Sequence, residues 1–141
     1  MKFNLPNALA LLLFVLGGCA TNSSSTVYEQ LGGASKVSEI VDNFVWEIEY
    51  DEQILPYFEG ANIDRFKQKL SEQICVVTNG PCEYTGDTMQ QVHTGMNITE
   101  HHFNRTVDLL INAMNKANVP HPLQNKVLKG LAPTRKDMLY L

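Results

Sequence analysis

The sequence lacks most of the patterns that identify common enzymes and nucleic-acid-binding proteins. Its 11 lysine and arginine residues form no cluster and are outnumbered by 15 acidic residues, which argues against nucleic acid as a partner. It has no glycine-rich phosphate loop, no cysteines and histidines at zinc-ligand spacing, and no Ser–His–acid pattern of a hydrolase. No segment alternates polar and apolar residues convincingly, so strands are not expected.

One continuous apolar run, residues 9–16, lies near the beginning of the chain and is too short to cross a bilayer. It follows Lys2 and precedes two glycines, an order typical of a secretory signal. The sequence LGGC at 16–19 resembles a bacterial lipobox, in which the cysteine is lipidated and becomes the first residue of the mature protein. We therefore predict a lipoprotein signal peptide over 1–18 and a lipid on Cys19. An ordinary secretory signal and an uncleaved anchor are the alternatives.

The polar stretch 19–27 is predicted to be a lipidated, flexible spacer before a folded domain over 28–141. Removing the first 18 of 141 residues leaves 123, enough for one domain with a modest core. We expect an exported protein of the bacterial cell envelope, facing the periplasm in a Gram-negative cell, with the membrane as a partner through the lipid. In that oxidising compartment Cys75 and Cys82 are expected to form a disulfide, and two buried free thiols are the alternative.

The domain is predicted to be all-α, because apolar residues recur three and four positions apart in several segments. We expect about five substantial helices and one very short helix that ends near His93. Plausible N-caps of the long helices are Ser35, Asn62 or Asp64, and Thr99. The short helix offers little apolar surface of its own, so something outside it should hold it in place.

Of the four histidines, His93 has the most unusual setting. It ends the short helical segment 89–93, and the predicted neighbouring segments carry Phe44, Phe58, Phe66 and Phe103. An iron porphyrin needs one neutral imidazole nitrogen and an apolar, aromatic-rich surrounding, which this pattern could supply. A structural or exposed histidine in a plain helical bundle is the alternative that the residues alone leave open.

Several motifs, in the same order, resemble those of group 1 truncated haemoglobins. They are YEQLGG at 28–33, LPYF at 55–58, GPCEYTG at 80–86 and MQQVHTGMNIT at 89–99, followed by His102-Phe103. The block that contains His93 is the most specific of them. The motifs span Tyr28 to about Pro133, which is nearly the whole predicted domain.

The resemblance implies a two-over-two helical sandwich around haem b, with His93 as the proximal iron ligand. The other residues that it places at the cofactor are Phe44, Val45, Phe58, Phe66, Lys69, Leu70, Tyr84, Met89 and Phe103. Phe58 is expected to pack on the macrocycle opposite His93, and the long stem of Lys69 could reach a propionate.

The side of the haem opposite His93 departs from the family pattern. Many members have a tyrosine where this chain has Val45 and a glutamine where it has Leu70, and those groups usually hydrogen-bond bound oxygen. A hydrogen bond to a polarised ligand contributes about 1.5–3 kcal/mol, so both departures argue against tight oxygen binding. Gln68, Gln73 and Thr106 are alternative donors, although solvent-facing glutamines are the simpler interpretation.

The expected function is reversible binding of a diatomic gas, oxygen or nitric oxide, at iron held by His93. One alternative is a haem-dependent nitric-oxide dioxygenase or other redox enzyme, which would need an unidentified reductase. Another is a haem-free helical lipoprotein that binds a partner. His101 or His102 could supply a sixth iron ligand, but a structural role at the start of a helix is the simpler interpretation.

Overall fold

The computed structural model describes residues 24–141, so the predicted signal peptide 1–18 and the lipidated Cys19 lie outside the described residues. The α-helices are α1 (Val27–Leu31), α2 (Gly33–Glu49), α3 (Ile63–Val77), α4 (Met89–His93), α5 (Glu100–Lys116) and α6 (His121–Leu131). Two 3-10 helices span Leu55–Phe58 and Ala132–Asp137. The all-α prediction is confirmed, with four long α-helices and two short ones in residues 24–141 instead of about five and one.

The first two helices begin earlier than the sequence predicts. Thr26 forms a reciprocal capping box with Glu29, so α1 starts at Val27, inside the stretch predicted as spacer. Gly32 then adopts a left-handed conformation with φ of 112°, which turns the chain directly into α2 at Gly33. The prediction that Ser35 caps this helix is therefore wrong, because Ser35 lies inside its first turn.

The core forms where α2 packs against α3 and α5. The predicted apolar face of α2 is buried, as are four residues in the second half of α5. These residues are Val37, Ile40, Val41, Phe44 and Ile48 on α2, and Leu109, Leu110, Ala113 and Met114 on α5. In α3 only Ile74 and Cys75 are buried, so the first half of its apolar stripe is available to line a cavity.

The short helix α4 has no buried residue. Its start is fixed by a capping box between Thr88 and Gln91. After its end, Ile98 pairs with Leu139 in an isolated bridge, and the Asn97 N–H donates to the Leu141 carbonyl at 2.9 Å. Local caps and a distant part of the chain therefore hold α4, as its sparse apolar content suggested.

A disulfide and a partly buried ion pair join further parts of the chain around this core. A disulfide joins Cys75, near the end of α3, to Cys82 in the loop that leads to α4. Asp51, buried after α2, accepts hydrogen bonds from Arg105 on α5 at 2.6 Å and from the Ile54 N–H at 2.9 Å. Burial raises the pKa of Asp51, but these bonds and one from the Gln53 N–H outweigh it and hold the pKa below 3.8.

No helix within residues 24–141 has both the length and the apolar character needed to span a bilayer.

Candidate functional site

A cavity of about 620 Å³ lies between α3, α4 and α5, a volume within the range of about 300–1,000 Å³ that is typical of cofactor sites. Three phenylalanines from different elements form one of its walls. The ring of Phe66 on α3 lies 4.9 Å from that of Phe58 and 6.3 Å from that of Phe44. The cavity therefore offers aromatic surface to a flat, apolar ligand.

His93 at the end of α4 lines the same cavity. Its Nδ1 lies 2.7 Å from the Met89 carbonyl oxygen. Because a carbonyl can only accept, Nδ1 carries the proton and the Nε2 lone pair remains available. Burial lowers the pKa of His93 below 6.5, and the hydrogen bond to Met89 offsets this only in part. The side chain is thus a neutral imidazole, the form that binds a metal ion.

Nine of the ten residues predicted at the cofactor line this cavity. They are Phe44, Phe58, Phe66, Lys69, Leu70, Tyr84, Met89, His93 and Phe103. Val45 is the exception, since it lines a neighbouring cavity of about 350 Å³ together with Ile48 and Leu55. Successive residues of an α-helix point about 100° apart, so the helix that presents Phe44 to the main cavity turns Val45 away from it.

The three side chains considered as alternative hydrogen-bond donors to bound oxygen have different surroundings. Gln68 is exposed and donates to the Glu72 carboxylate at 3.0 Å. Gln73 does line the cavity, but its amide contacts the Met89 sulfur at 3.5 Å. Thr106 also lines the cavity, and its hydroxyl donates to the His102 carbonyl at 2.9 Å. Leu70 therefore remains an apolar group in the α3 wall, and Gln73 is the glutamine that reaches the cavity.

The rim of the cavity carries cations that are already paired. Lys69 Nζ lies 2.9 and 3.0 Å from the two Glu72 carboxylate oxygens, and it also contacts Thr85. The Lys69 hydrogen bond, followed by that of the Thr85 N–H, lowers the pKa of Glu72 to about 2. Arg65 pairs with Asp87 at 3.1 Å. A carboxylate of a bound ligand would therefore compete with Glu72 for Lys69.

The two histidines considered as a sixth iron ligand do not line the cavity. His102 Nδ1 lies 2.7 Å from the Tyr57 hydroxyl oxygen, and His101 Nε2 lies 2.8 Å from the Gln53 side-chain oxygen. One ring nitrogen of each histidine therefore forms a hydrogen bond with another part of the chain, which favours the structural interpretation.

Sequence reasoning missed several residues of the site. Tyr57 lines the cavity, as do Thr134, Arg135 and Met138 from the end of the described chain. The LPYF motif contains Tyr57, but its partner His102 is 45 positions away, and no local pattern joins them. Residues 134–138 reach the site through the Ile98–Leu139 bridge, a contact that helical periodicity does not encode.

Comparison with known proteins identifies the family. The profile of the family described as bacterial-like globin matches residues 26–140. The chain belongs to this family. The group 1 truncated hemoglobin GlbN of Mycolicibacterium paratuberculosis is 36% identical over 114 residues, which cover 81% of this chain and 84% of that protein. The group 1 truncated hemoglobin of Tetrahymena pyriformis is 29% identical over 118 residues, covering 84% of this chain and 98% of that one.

Solved structures agree with this assignment. The crystal structure of the Tetrahymena pyriformis truncated hemoglobin in its Fe(III) form superposes with a TM-score of 0.79 at 28% identity, covering 83% of this chain and all of that one. The 2/2 hemoglobin of Synechococcus sp. PCC 7002 has a TM-score of 0.76 at 24% identity over 82% of this chain and 98% of that one, which shows a shared fold. The predicted truncated-globin fold is confirmed, and this chain is a haem-binding globin.

The residues of the cavity fit that cofactor. The cavity presents a neutral imidazole whose second nitrogen is fixed by a backbone carbonyl, the arrangement usual for metal-binding histidines. It also presents three phenylalanine rings for a flat macrocycle and has lysine and arginine side chains at its rim.

Proposed function

We propose that this globin binds haem b with His93 as the axial iron ligand and reversibly takes up a diatomic gas, oxygen or nitric oxide. One observation carries the proposal: His93 lines the apolar cavity as a neutral imidazole with the Nε2 lone pair available. Membership of the globin family supports the choice of haem as the cofactor. The bound haem would supply an iron atom that can bind an imidazole nitrogen and a small gas.

The chain's own residues orient that imidazole and keep water away. The Met89 carbonyl fixes the tautomer of His93 and restricts rotation of its ring. Phe58 and Phe66, which stack edge-on, give the α3 side an apolar surface. A protected, water-poor site is what reversible gas binding requires, because water at the iron favours side reactions.

The α3 wall also sets the gas preference in this proposal. Leu70 offers no hydrogen bond, and one N–H of the Gln73 amide donates to the Met89 sulfur at 3.5 Å. Such a wall stabilises a ligand that becomes strongly polarised, as oxygen does, less than a wall with a free amide. We therefore expect rapid oxygen release from this globin.

The proposal includes a place in the cell. The lipobox-like sequence that ends at Cys19 supports attachment to a bacterial envelope membrane through a lipid. Labelled palmitate should enter the wild-type chain in a bacterial host but not the Cys19→Ser variant, which should move from the membrane to the soluble fraction. Equal labelling of the two chains would exclude the anchor.

Haem binding and its axial ligand are tested together by titrating the purified full chain with ferric haem and recording absorption spectra. The wild type should bind one haem per chain with an intense Soret band. His93→Ala should lose that band or bind haem far more weakly, whereas His121→Ala, a change at an exposed histidine outside the cavity, should bind as the wild type does. A wild type without a Soret band would refute haem binding, and an unchanged His93→Ala spectrum would refute ligation by His93.

A further inference from the structure

A tyrosine and a histidine meet at the edge of the cavity without a role in gas binding. Tyr57 belongs to the 3-10 helix Leu55–Phe58, directly before Phe58, and it lines the cavity. Its hydroxyl oxygen lies 2.7 Å from Nδ1 of His102 on α5, and the two rings meet edge-on with centroids 5.4 Å apart. Both side chains are partly buried, and the pair links the 3-10 helix to α5.

The tautomer of His102 sets the direction of this hydrogen bond. The phenolic O–H of Tyr57 is the donor when Nδ1 of a neutral His102 keeps its lone pair. Imidazole is a base with a pKa of about 6.5 in water, and 2.7 Å is within reach for direct proton transfer. A tyrosine that loses an electron becomes a strong acid. It is therefore oxidised readily only where a neighbouring base takes the proton.

Tyr84 provides a natural comparison inside the same cavity. Among the tyrosines of residues 24–141, Tyr57 and Tyr84 line the cavity. The Tyr84 hydroxyl donates to the Asp87 backbone carbonyl at 2.9 Å, and a carbonyl does not act as a base. Burial, followed by the charges of Asp87 and Glu72, raises the pKa of Tyr84, so this phenol holds its proton more tightly than usual. Of these two tyrosines, only Tyr57 is hydrogen-bonded to a side chain that can accept its proton.

We propose that Tyr57 and His102 form a proton-coupled one-electron donor to the haem, which gives this globin a peroxide-reducing activity besides gas binding. The inference rests on the proposed haem site. Hydrogen peroxide would take two electrons at the bound haem and two protons from water, so that its O–O bond breaks and two water molecules form. Tyr57 returns one electron as its O–H bond breaks, the proton passes to His102 Nδ1, and a neutral phenoxyl radical with an imidazolium remains. A two-electron reductant of the ascorbate class restores both electrons and both protons, so peroxide and reductant yield water and oxidised reductant.

Freeze-quench electron paramagnetic resonance tests the proposal on the haem-loaded full chain mixed with hydrogen peroxide. The wild type should give a tyrosyl radical, identified by the narrowing of its spectrum when the tyrosine rings are deuterated. Tyr57→Phe should lose most of that signal, and peroxide should bleach its haem faster. Tyr84→Phe, the matched control, should keep the signal. A Tyr57→Phe signal equal to that of the wild type, or its loss in Tyr84→Phe, would overturn the proposal.

A second variant separates the proton acceptor from the radical site. His102→Gln keeps Tyr57 and can still accept a hydrogen bond, but its amide cannot take the proton, so the radical yield should fall several-fold while the Soret band stays unchanged. An unchanged yield would contradict the role of His102. The Soret band, recorded first for every protein, distinguishes the two levels of failure. A wild type that takes up no haem refutes the proposed function together with this inference, whereas a haem-loaded wild type without a Tyr57-dependent radical refutes this inference alone.

Discussion

The two walls of the proposed haem cavity are built in different ways. The α3 wall is a helix of 15 residues that buries Ile74 and Cys75 and packs against α2. The opposite wall is α4, a helix of five residues that buries none of them. The shape of the first wall is therefore set by the hydrophobic core, whereas the second depends on a capping box, on the bridge to Leu139 and, in our proposal, on the bond between iron and His93.

Because of this difference, we expect the α4 wall to govern affinity for haem and the α3 wall to govern selectivity among gases. The α3 wall can be rigid before haem binds, and in our proposal its side chains determine which gas is stabilised. The α4 wall has little packing energy of its own, so cofactor binding and local order of α4 should be coupled. Four changes test the comparison, taken from the largest expected effect to the smallest.

Haem uptake should slow amide hydrogen exchange in α4 far more than in α3. In the haem-free protein, α4 amides should exchange with deuterium faster than those of the buried half of α3, because few contacts oppose local opening. Haem at 100 times its dissociation constant stabilises the bound state by about 2.7 kcal/mol, so α4 protection should rise by roughly 100-fold. Exchange rates measured with and without haem decide this. Equal protection of both helices before haem is added would contradict the comparison.

A hydrogen-bond donor placed at Leu70 on α3 should slow the release of oxygen. Leu70→Gln places an amide in an apolar part of the cavity, where a hydrogen bond to a polarised ligand contributes about 1.5–3 kcal/mol. Oxygen dissociation, followed by stopped-flow absorbance, should slow by roughly 10- to 100-fold. Leu128→Gln adds the same amide to the cavity from α6 and serves as the control. A similar slowing in both variants would show that polarity alone, and not the α3 position, governs release.

The ion pair between Asp51, after α2, and Arg105 on α5 should stabilise the whole domain, and its contribution should depend on pH. Asp51→Asn removes a charged hydrogen bond to Arg105 and should lower the free energy of unfolding by about 1–3 kcal/mol at neutral pH. Because the folded pKa of Asp51 is below its ordinary value of 3.8, the contribution is full above that value and is lost as pH falls through the folded pKa. Urea unfolding at neutral and acidic pH measures it, with Glu52→Gln, an exposed neighbour, as control. A gap between wild type and Asp51→Asn that widens in acid would refute this account.

The smallest effect should come from the cap of α4. Thr88→Ala removes a side chain that accepts from the Gln91 N–H and should cost about 1 kcal/mol, which lowers haem affinity by roughly fivefold. Thr26→Ala removes an equivalent capping box from α1 and should leave haem affinity unchanged. Fluorescence quenching by added haem measures both variants. Equal affinities of Thr88→Ala and wild type would mean that the cap does not control the α4 wall.

Features encoded by local periodicity and capping were predictable from the sequence. The buried face of α2 follows from spacings of three and four, and Asn62 and Thr99 cap α3 and α5 because their side chains accept N–H groups three residues ahead. The prediction that Ser35 caps α2 is wrong because Gly32, in a left-handed conformation, starts the helix three residues earlier. His93 was found through the resemblance of its motif, since one histidine on a short helix has no distinctive periodicity.

Long-range contacts could not be predicted in this way. The bond between Tyr57 and His102 joins residues 45 positions apart, and the bridge from Ile98 to Leu139 depends on how α6 and the segment after it fold back. Whether Gln68 or Gln73 reaches the cavity depends on the rotation of α3, which the packing of Ile74 and Cys75 sets. A sequence shows which side chains are available, but helix rotation and tertiary contact decide which of them meet.

Rescue of a variant that lacks only His93 by free imidazole tests the central claim most directly. His93→Gly leaves space for an imidazole molecule in the α4 wall, and the absorption spectrum of the ferrous haem complex reports whether an imidazole nitrogen binds iron. We predict that His93→Gly takes up haem poorly alone and regains the wild-type ferrous spectrum when imidazole is added. A His93→Gly variant that shows the wild-type spectrum without imidazole would contradict the assignment of His93 as the iron ligand.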